Sequence, residues 1–188
     1  ETVAIAREAG ARIVVDSTVS TPVLCRPLEH GADLVMHSAT KQLNGHSDVL
    51  AGALVTKHQD EFWERCQRER ACRGAVLGPF ESWLLLRGMR TLDLRVRRSA
   101  KSAQRIAEVL DSHAAVSEVL YPGLTNHPGH LIAVRQMHGG FGMLVSFRLH
   151  GGVARACSRR MALLARPVGG ADLRSLSLVL YLAPRFSP

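Results

Sequence analysis

The stretch that decides the reading is Gly31-Ala32-Asp33-Leu34-Val35-Met36-His37-Ser38-Ala39-Thr40-Lys41-Gln42-Leu43-Asn44-Gly45-His46-Ser47-Asp48. Leu34-Val35-Met36 is the apolar run expected of a buried strand in a parallel sheet. Ser38, Thr40 and Lys41 follow just beyond its carboxyl end, where open α/β sheets bind ligands. Of the 24 lysines and arginines only Lys41, Lys57 and Lys101 are lysines. A chain so biased to arginine that keeps a lysine here uses an amine that arginine cannot replace. Lysine can lose its proton when desolvated and form a Schiff base; a guanidinium cannot.

Working outward, Arg12-Ile13-Val14-Val15-Asp16 is a second short apolar strand that ends in a carboxylate. Pyridoxal phosphate (PLP) sites pair a Schiff-base lysine with an acid on the pyridinium nitrogen. One strand end thus supplies Asp16, and the other supplies Ser38, Thr40 and Lys41.

Elsewhere the periodicity predicts alternating helices and strands. Residues 2–10 read as the end of a helix with Gly10 as its stop, followed by strands at 12–16, 33–37 and 51–56. Residues 59–73 are helical and highly charged. Pro79 opens a helix to Arg87, with Gly88 as its C-terminal stop. In the helix predicted over 92–113, Val96, Ala100, Ala103, Ala107 and Leu110 form one buried stripe. Arg95, Arg97, Arg98, Lys101 and Arg105 are assigned to its wet side. Val116–Tyr121 reads as a strand closed by Pro122-Gly123. The alternation of Phe141, Met143, Val145, Phe147 and Leu149 reads as a half-buried strand. A helix at 152–165 completes a small α/β domain.

Composition narrows the class. Hydrophobic residues make up 46% of the 188, enough for a core. No segment is long and uncharged enough to span a membrane, and Glu1, Arg7 and Glu8 interrupt any signal-peptide pattern. Cys25, Cys66, Cys72 and Cys157 show no metal or disulfide spacing, so reduced thiols and a cytoplasmic protein are expected. The net charge of +8 comes from scattered arginines, with 5% aromatics for stacking, so no nucleic-acid partner is expected. His30, His37, His46, His127 and His130 match no ligand spacing, and no metal is expected. Ser38-Ala39-Thr40-Lys41 also fits the S-x-x-K signature of penicillin-recognising hydrolases. That reading fails: a strand precedes the serine, Ser47-Asp48 is followed by Val49, and no K-T-G exists.

The motifs together resemble the Cys/Met-metabolism PLP-dependent enzymes: the cystathionine γ-synthases, cystathionine γ- and β-lyases, methionine γ-lyases and homoserine-ester sulfhydrylases. The resemblance rests on Asp16-Ser17-Thr18, Thr21-Pro22, Pro27-Leu28, His37 to Lys41 and Asn44 to Asp48. It continues through Gly78 to Leu92, Val119 to Leu124, His127-Pro128 and Gly140 to Phe147, and covers residues 1 to about 165. It implies an α/β fold of the aspartate aminotransferase type (fold type I, PLP-dependent transferase-like). Residues 1–58 would be the C-terminal part of the PLP-binding large domain, 59–90 connecting helices, and 91–188 an incomplete small domain.

By the same resemblance, Lys41 is the Schiff-base lysine and catalytic base, which requires a neutral amine favoured by desolvation. Asp16 keeps the ring nitrogen protonated, Ser38 and Thr40 donate to the phosphate, and Thr18 lies near the ring. Asn44, His46 and Asp48 are assigned to stabilising the turn, and Arg87 and Arg90 to structure. The implied activity is trans-sulfuration, forming or cleaving a C–S bond at Cβ or Cγ. The implied partners are amino-acid substrates (cystathionine, a homoserine ester, cysteine or methionine) and the family's homotetramer. Several family features are missing: the Gly-rich phosphate loop, the tyrosine that stacks on the ring and the arm that completes a neighbour's site. Leu180 stands where the family's C-terminal segment has a glutamate, and no arginine is assigned to the substrate carboxylate. The alternative is therefore a truncated, inactive remnant of such an enzyme.

Overall fold

In the sequence around Asp16 and Lys41, two short β-rich runs are separated by a segment with prolines at its turns, the pattern of a crossover between parallel strands. The computed structural model, which describes residues 2–150 and 178–181, shows this arrangement. The chain divides into two compact units, Glu1–Leu94 and Arg95–Pro188.

The first unit opens with helix α1 (Thr2–Glu8), and Gly10 takes a left-handed φ of 64° just beyond its end. Strand β1 (Val14–Asp16) leads through the short helix α2 (Thr21–Leu24) and a 3-10 turn at Pro27–His30 into strand β2 (Leu34–Ser38). The two strands are parallel, with Val14 opposite Leu34 and Asp16 opposite Met36. Strand β3 (Gly52–Thr56) returns antiparallel to β2, pairing Ser38 with Gly52 and Leu34 with Thr56. The sheet order is β1-β2-β3, which places β2 in the middle. Its Leu34 and Val35 are buried accordingly.

Helix α3 (Glu61–Cys72) starts where Asp60 accepts a hydrogen bond from the Trp63 amide at 3.0 Å. A side-chain oxygen at that position satisfies one of the helix's orphan N–H groups. Arg12 ties this start to the sheet: its guanidinium lies 2.7 Å from Asp60 Oδ2 and 4.7 Å above the Phe62 ring. Helix α4 (Pro79–Met89) begins with proline in its first turn, where a missing N–H costs nothing. It does not stop at Gly88 as expected. Gly88 lies inside the helix and is buried.

The second unit is built on helix α5 (Leu92–Asp111) and a sheet of order β4-β5-β6, formed by Val116–Leu120, Leu144–Leu149 and Leu178–Tyr181. Both pairings are antiparallel, with a bulge near Val116 and Glu118. Ala103, Ala107, Val119, Tyr121, Leu124, Val145 and Phe147 make its core, with Leu110, Val116, Phe141 and Leu149 packed against them. The predicted helical stripe is therefore buried, but one assignment to the wet side is corrected. Arg95 is 1% exposed, because it shares a helix face with Leu92 and Ser99, which are also buried.

Two elements were not anticipated. The segment after His127-Pro128 forms a short helix, α6 (His130–Gln136), and the tail supplies strand β6. The expected helix at 152–165 lies outside the described residues, as does Cys157; Cys25, Cys66 and Cys72 are free thiols. Among the described residues no helix is long and apolar enough to cross a membrane.

Candidate functional site

Parallel pairing of β1 with β2 sends both strands out of the sheet on the same side, and their carboxyl ends carry the acid and the amine. The Ser17 amide continues the ladder by donating to Met36 O at 2.9 Å. Asp16 and Ser38 thus end neighbouring strands, with Lys41 in the turn that follows β2. Its amide donates to Ser38 O at 3.1 Å.

Asp16 is exposed and accepts the Thr18 amide at 2.9 Å on Oδ1. Hydrogen bonds from the Thr18 hydroxyl and amide hold its carboxyl below the usual aspartate range, outweighing slight burial, and the nearby His37 helps. Hydrogen bonds to the charged form favour that form. Thr18 also joins the two strand ends, since its Oγ1 accepts the Ser38 amide at 2.7 Å.

The two hydroxyls that bracket Lys41 are used differently. The Ser38 side chain, half-buried, has no hydrogen-bond partner among the described residues. The Thr40 hydroxyl is engaged: it accepts the Ala51 amide at 2.9 Å and lies 3.3 Å from Ala51 O. Its single proton is therefore directed at a backbone carbonyl over a long, weak contact, from which it can be withdrawn cheaply. The Lys41 side chain is exposed and makes no ion pair among the described residues. The desolvation expected of a neutral amine is accordingly not supplied by them.

Of the histidines, His46 Nδ1 donates to Asn44 O at 2.7 Å, His127 Nδ1 accepts the Gly129 amide at 3.0 Å, and His130 Nδ1 lies 2.8 Å from Pro122 O. These are backbone-bracing contacts. His37 is different: it is buried behind the strand ends, and its Nδ1 has no partner among the described residues. Burial pushes its pKa down, while a Ser17 backbone contact and the Asp16 charge oppose that. Sequence reasoning passed over His37 as one of five unremarkable histidines. Its place between Met36 and Ser38 was the available signal. Arg87 and Arg90 are exposed on and beside α4.

The donor set has the chemistry to hold an aldehyde-bearing phosphate cofactor with a basic ring nitrogen. It offers an ionised carboxylate for a protonated ring nitrogen, a primary amine for the aldehyde, and an unengaged hydroxyl for a phosphate oxygen.

Comparison with known proteins agrees with this chemistry. The family model described as Cys/Met metabolism PLP-dependent enzyme matches residues 1–177. The chain is 47% identical over 166 residues to a cystathionine gamma-synthase of Mycobacterium bovis, covering 86% of this chain and 42% of that protein. It is 51% identical over 146 residues to a cystathionine beta-lyase of Lactococcus lactis subsp. cremoris, covering 78% of this chain and 38% of that one. Among solved structures, a cystathionine gamma synthase from Xanthomonas oryzae pv. oryzae, in complex with aminoacrylate and cysteine, aligns with a TM-score of 0.78 at 44% identity. That alignment covers 90% of this chain and 43% of the other. The chain thus spans less than half the length of these relatives.

Proposed function

The chain belongs to the Cys/Met metabolism PLP-dependent enzyme family, and from that premise we propose that it carries part of the active site of a trans-sulfuration enzyme. The reaction is the formation or cleavage of a C–S bond at Cβ or Cγ of a sulfur amino acid or an activated homoserine. The substrate class is cystathionine, a homoserine ester, cysteine or methionine. Residues 1–58 are read as the C-terminal part of the cofactor domain, 59–90 as connecting helices, and 91–188 as the small domain. A homotetramer in the cytoplasm completes the proposal.

The observation that carries this reading is the pairing of β1 with β2, with Asp16 ending one strand and Ser38 and Lys41 following the other. Pyridoxal phosphate, when bound, supplies an electron sink for the pair left behind when a substrate Cα–H bond breaks. Lys41 would hold the cofactor through Nζ and, once released as a free amine, take the Cα proton. Asp16 would keep a proton on the ring nitrogen, a task its depressed pKa suits because the carboxylate stays charged. Ser38 Oγ would donate to a phosphate oxygen. Thr40 would do so by turning its proton away from Ala51 O while still accepting the Ala51 amide. Thr18 would hold the Asp16 carboxylate in place from the other side.

Titration of the full chain with PLP, followed by fluorescence, tests this. Saturable binding is expected, weakened about tenfold or more in Asp16→Ala, the loss of one hydrogen bond to a charged group. Equal affinity of Asp16→Ala and the parent would remove Asp16 from the site.

A further inference from the structure

Lys41 leaves the sheet in a loop that is tethered at its base, in its middle and from outside. At the base, the Thr40 amide donates to Ala51 O at 3.1 Å and the Ala51 amide to Thr40 Oγ1 at 2.9 Å. Within the loop, the Asn44 amide donates to Ala39 O at 2.9 Å and the Gly45 amide to Lys41 O at 2.7 Å. Asn44 spans the far limb: its side-chain Nδ2 donates to Asp48 Oδ1 at 2.6 Å, while its backbone carbonyl oxygen accepts His46 Nδ1. Gly45 and Ser47 both take positive φ, 74° and 61°, to let the chain turn around this bond. Asn44 itself is 1% exposed.

What closes over Asn44 is helix α4, at the one position where it has no side chain. A Cβ built on Gly88 would drive into the Asn44 carbonyl oxygen and come within 3.0 Å of its Oδ1. The obstruction is backbone, so it cannot be relieved by a rotamer change. Gly88 is buried in the last turn of α4, still inside the helix, at a cost in helix propensity, and close approach to the loop is the return.

We propose that Asn44, Asp48 and Gly88 are positioning residues for Lys41, acting through the backbone of residues 41–45. A lysine stem is long and flexible, so the part of its aim that a fold can fix is the backbone from which it departs. A site functions when its members are held to within a fraction of an ångström by their supporting contacts. The Asn44–Asp48 bond and the Gly88 contact supply that support. The role in aiming Lys41 rests on the functional reading above; the tethering does not.

Three variants test it in the full chain: Asp48→Ala removes the acceptor, Asp48→Asn keeps an oxygen there, and Gly88→Ala pushes on the Asn44 carbonyl. The first readout is amide hydrogen exchange of a peptide covering residues 39–49. Exchange is expected to speed up about tenfold or more in Asp48→Ala and Gly88→Ala, and to stay near the parent in Asp48→Asn. The second is the share of PLP trapped by borohydride at Lys41 against Lys57 and Lys101. That share should fall severalfold in the first two variants and be restored in Asp48→Asn. Parent-like exchange or a parent-like Lys41 share in Asp48→Ala would overturn the proposal. If circular dichroism shows Gly88→Ala unfolded, the Asp48 pair decides. A parent chain with a protected loop but no preference for Lys41 would refute the functional reading, and exchange alone would then sustain or refute the tethering.

Discussion

Thr18 ties together the two ends on which the site depends: its amide donates to Asp16, and its hydroxyl oxygen accepts from Ser38 across the strands. The Asp16 carboxyl is thereby held below its ordinary value of 3.8. A carboxylate with a lower pKa folded than unfolded stabilises the fold above the unfolded value, and that contribution fades as pH falls through the folded one. Thr18→Val keeps the shape and the amide but removes the hydroxyl. It should raise the Asp16 midpoint, followed by carboxyl-carbon NMR, toward the ordinary value. Its melting temperature should lie below the parent's by more at neutral pH than in acid, where only the lost Ser38 contact still separates the two; an unmoved midpoint would mean that the hydroxyl is not what holds the charge. At this scale the sequence was informative for chemical type. A lysine just past a strand end in an arginine-rich chain, and an acid at the neighbouring strand end, identify themselves by what they can do. It was less informative for state: neither the exposure of Lys41 nor the engagement of Thr40 by Ala51 follows from residue type, because both depend on which backbone groups the fold brings near.

Helix α5 shows how periodicity translates into packing and where it stops. Val96, Ala100, Ala103 and Ala107 recur at helical spacing and are buried, and small residues there let the helix lie close to the sheet of its own unit. Ala103→Leu would force three extra carbons into a filled interface, at a cost of about 1–3 kcal/mol, measurable as a lower urea midpoint with unchanged slope. A variant as stable as the parent would mean that the stripe is loosely packed. Arg95 escaped the same analysis because a hydrophobic stripe is drawn through apolar residues, whereas the buried face of α5 is wide enough to take in an arginine and Ser99. Gly88 escaped for a related reason. Near a predicted helix end, glycine reads as a stop, and only the three-dimensional approach of Asn44 reveals it as a contact. Strand β6 and helix α6 are short, and short apolar runs carry little periodic signal.

Taken whole, the chain folds as two units with a sheet in each, and its first sheet ends at β1 on one side and β3 on the other. Among the described residues neither outer edge has a partner, and Val14, Leu54 and Val55 of these strands are substantially exposed. Unpaired strand edges with apolar side chains favour association, consistent with a chain that spans under half the length of its relatives. Whether the half-site selects its own lysine is therefore the decisive question. The full chain should be incubated with PLP, reduced with borohydride, digested, and the modified peptide mapped. Label concentrated on Lys41, with Lys57 and Lys101 largely unmodified and Lys41→Ala unlabelled, is the predicted result. Label spread evenly over the three lysines, or label unchanged in Lys41→Ala, would contradict it.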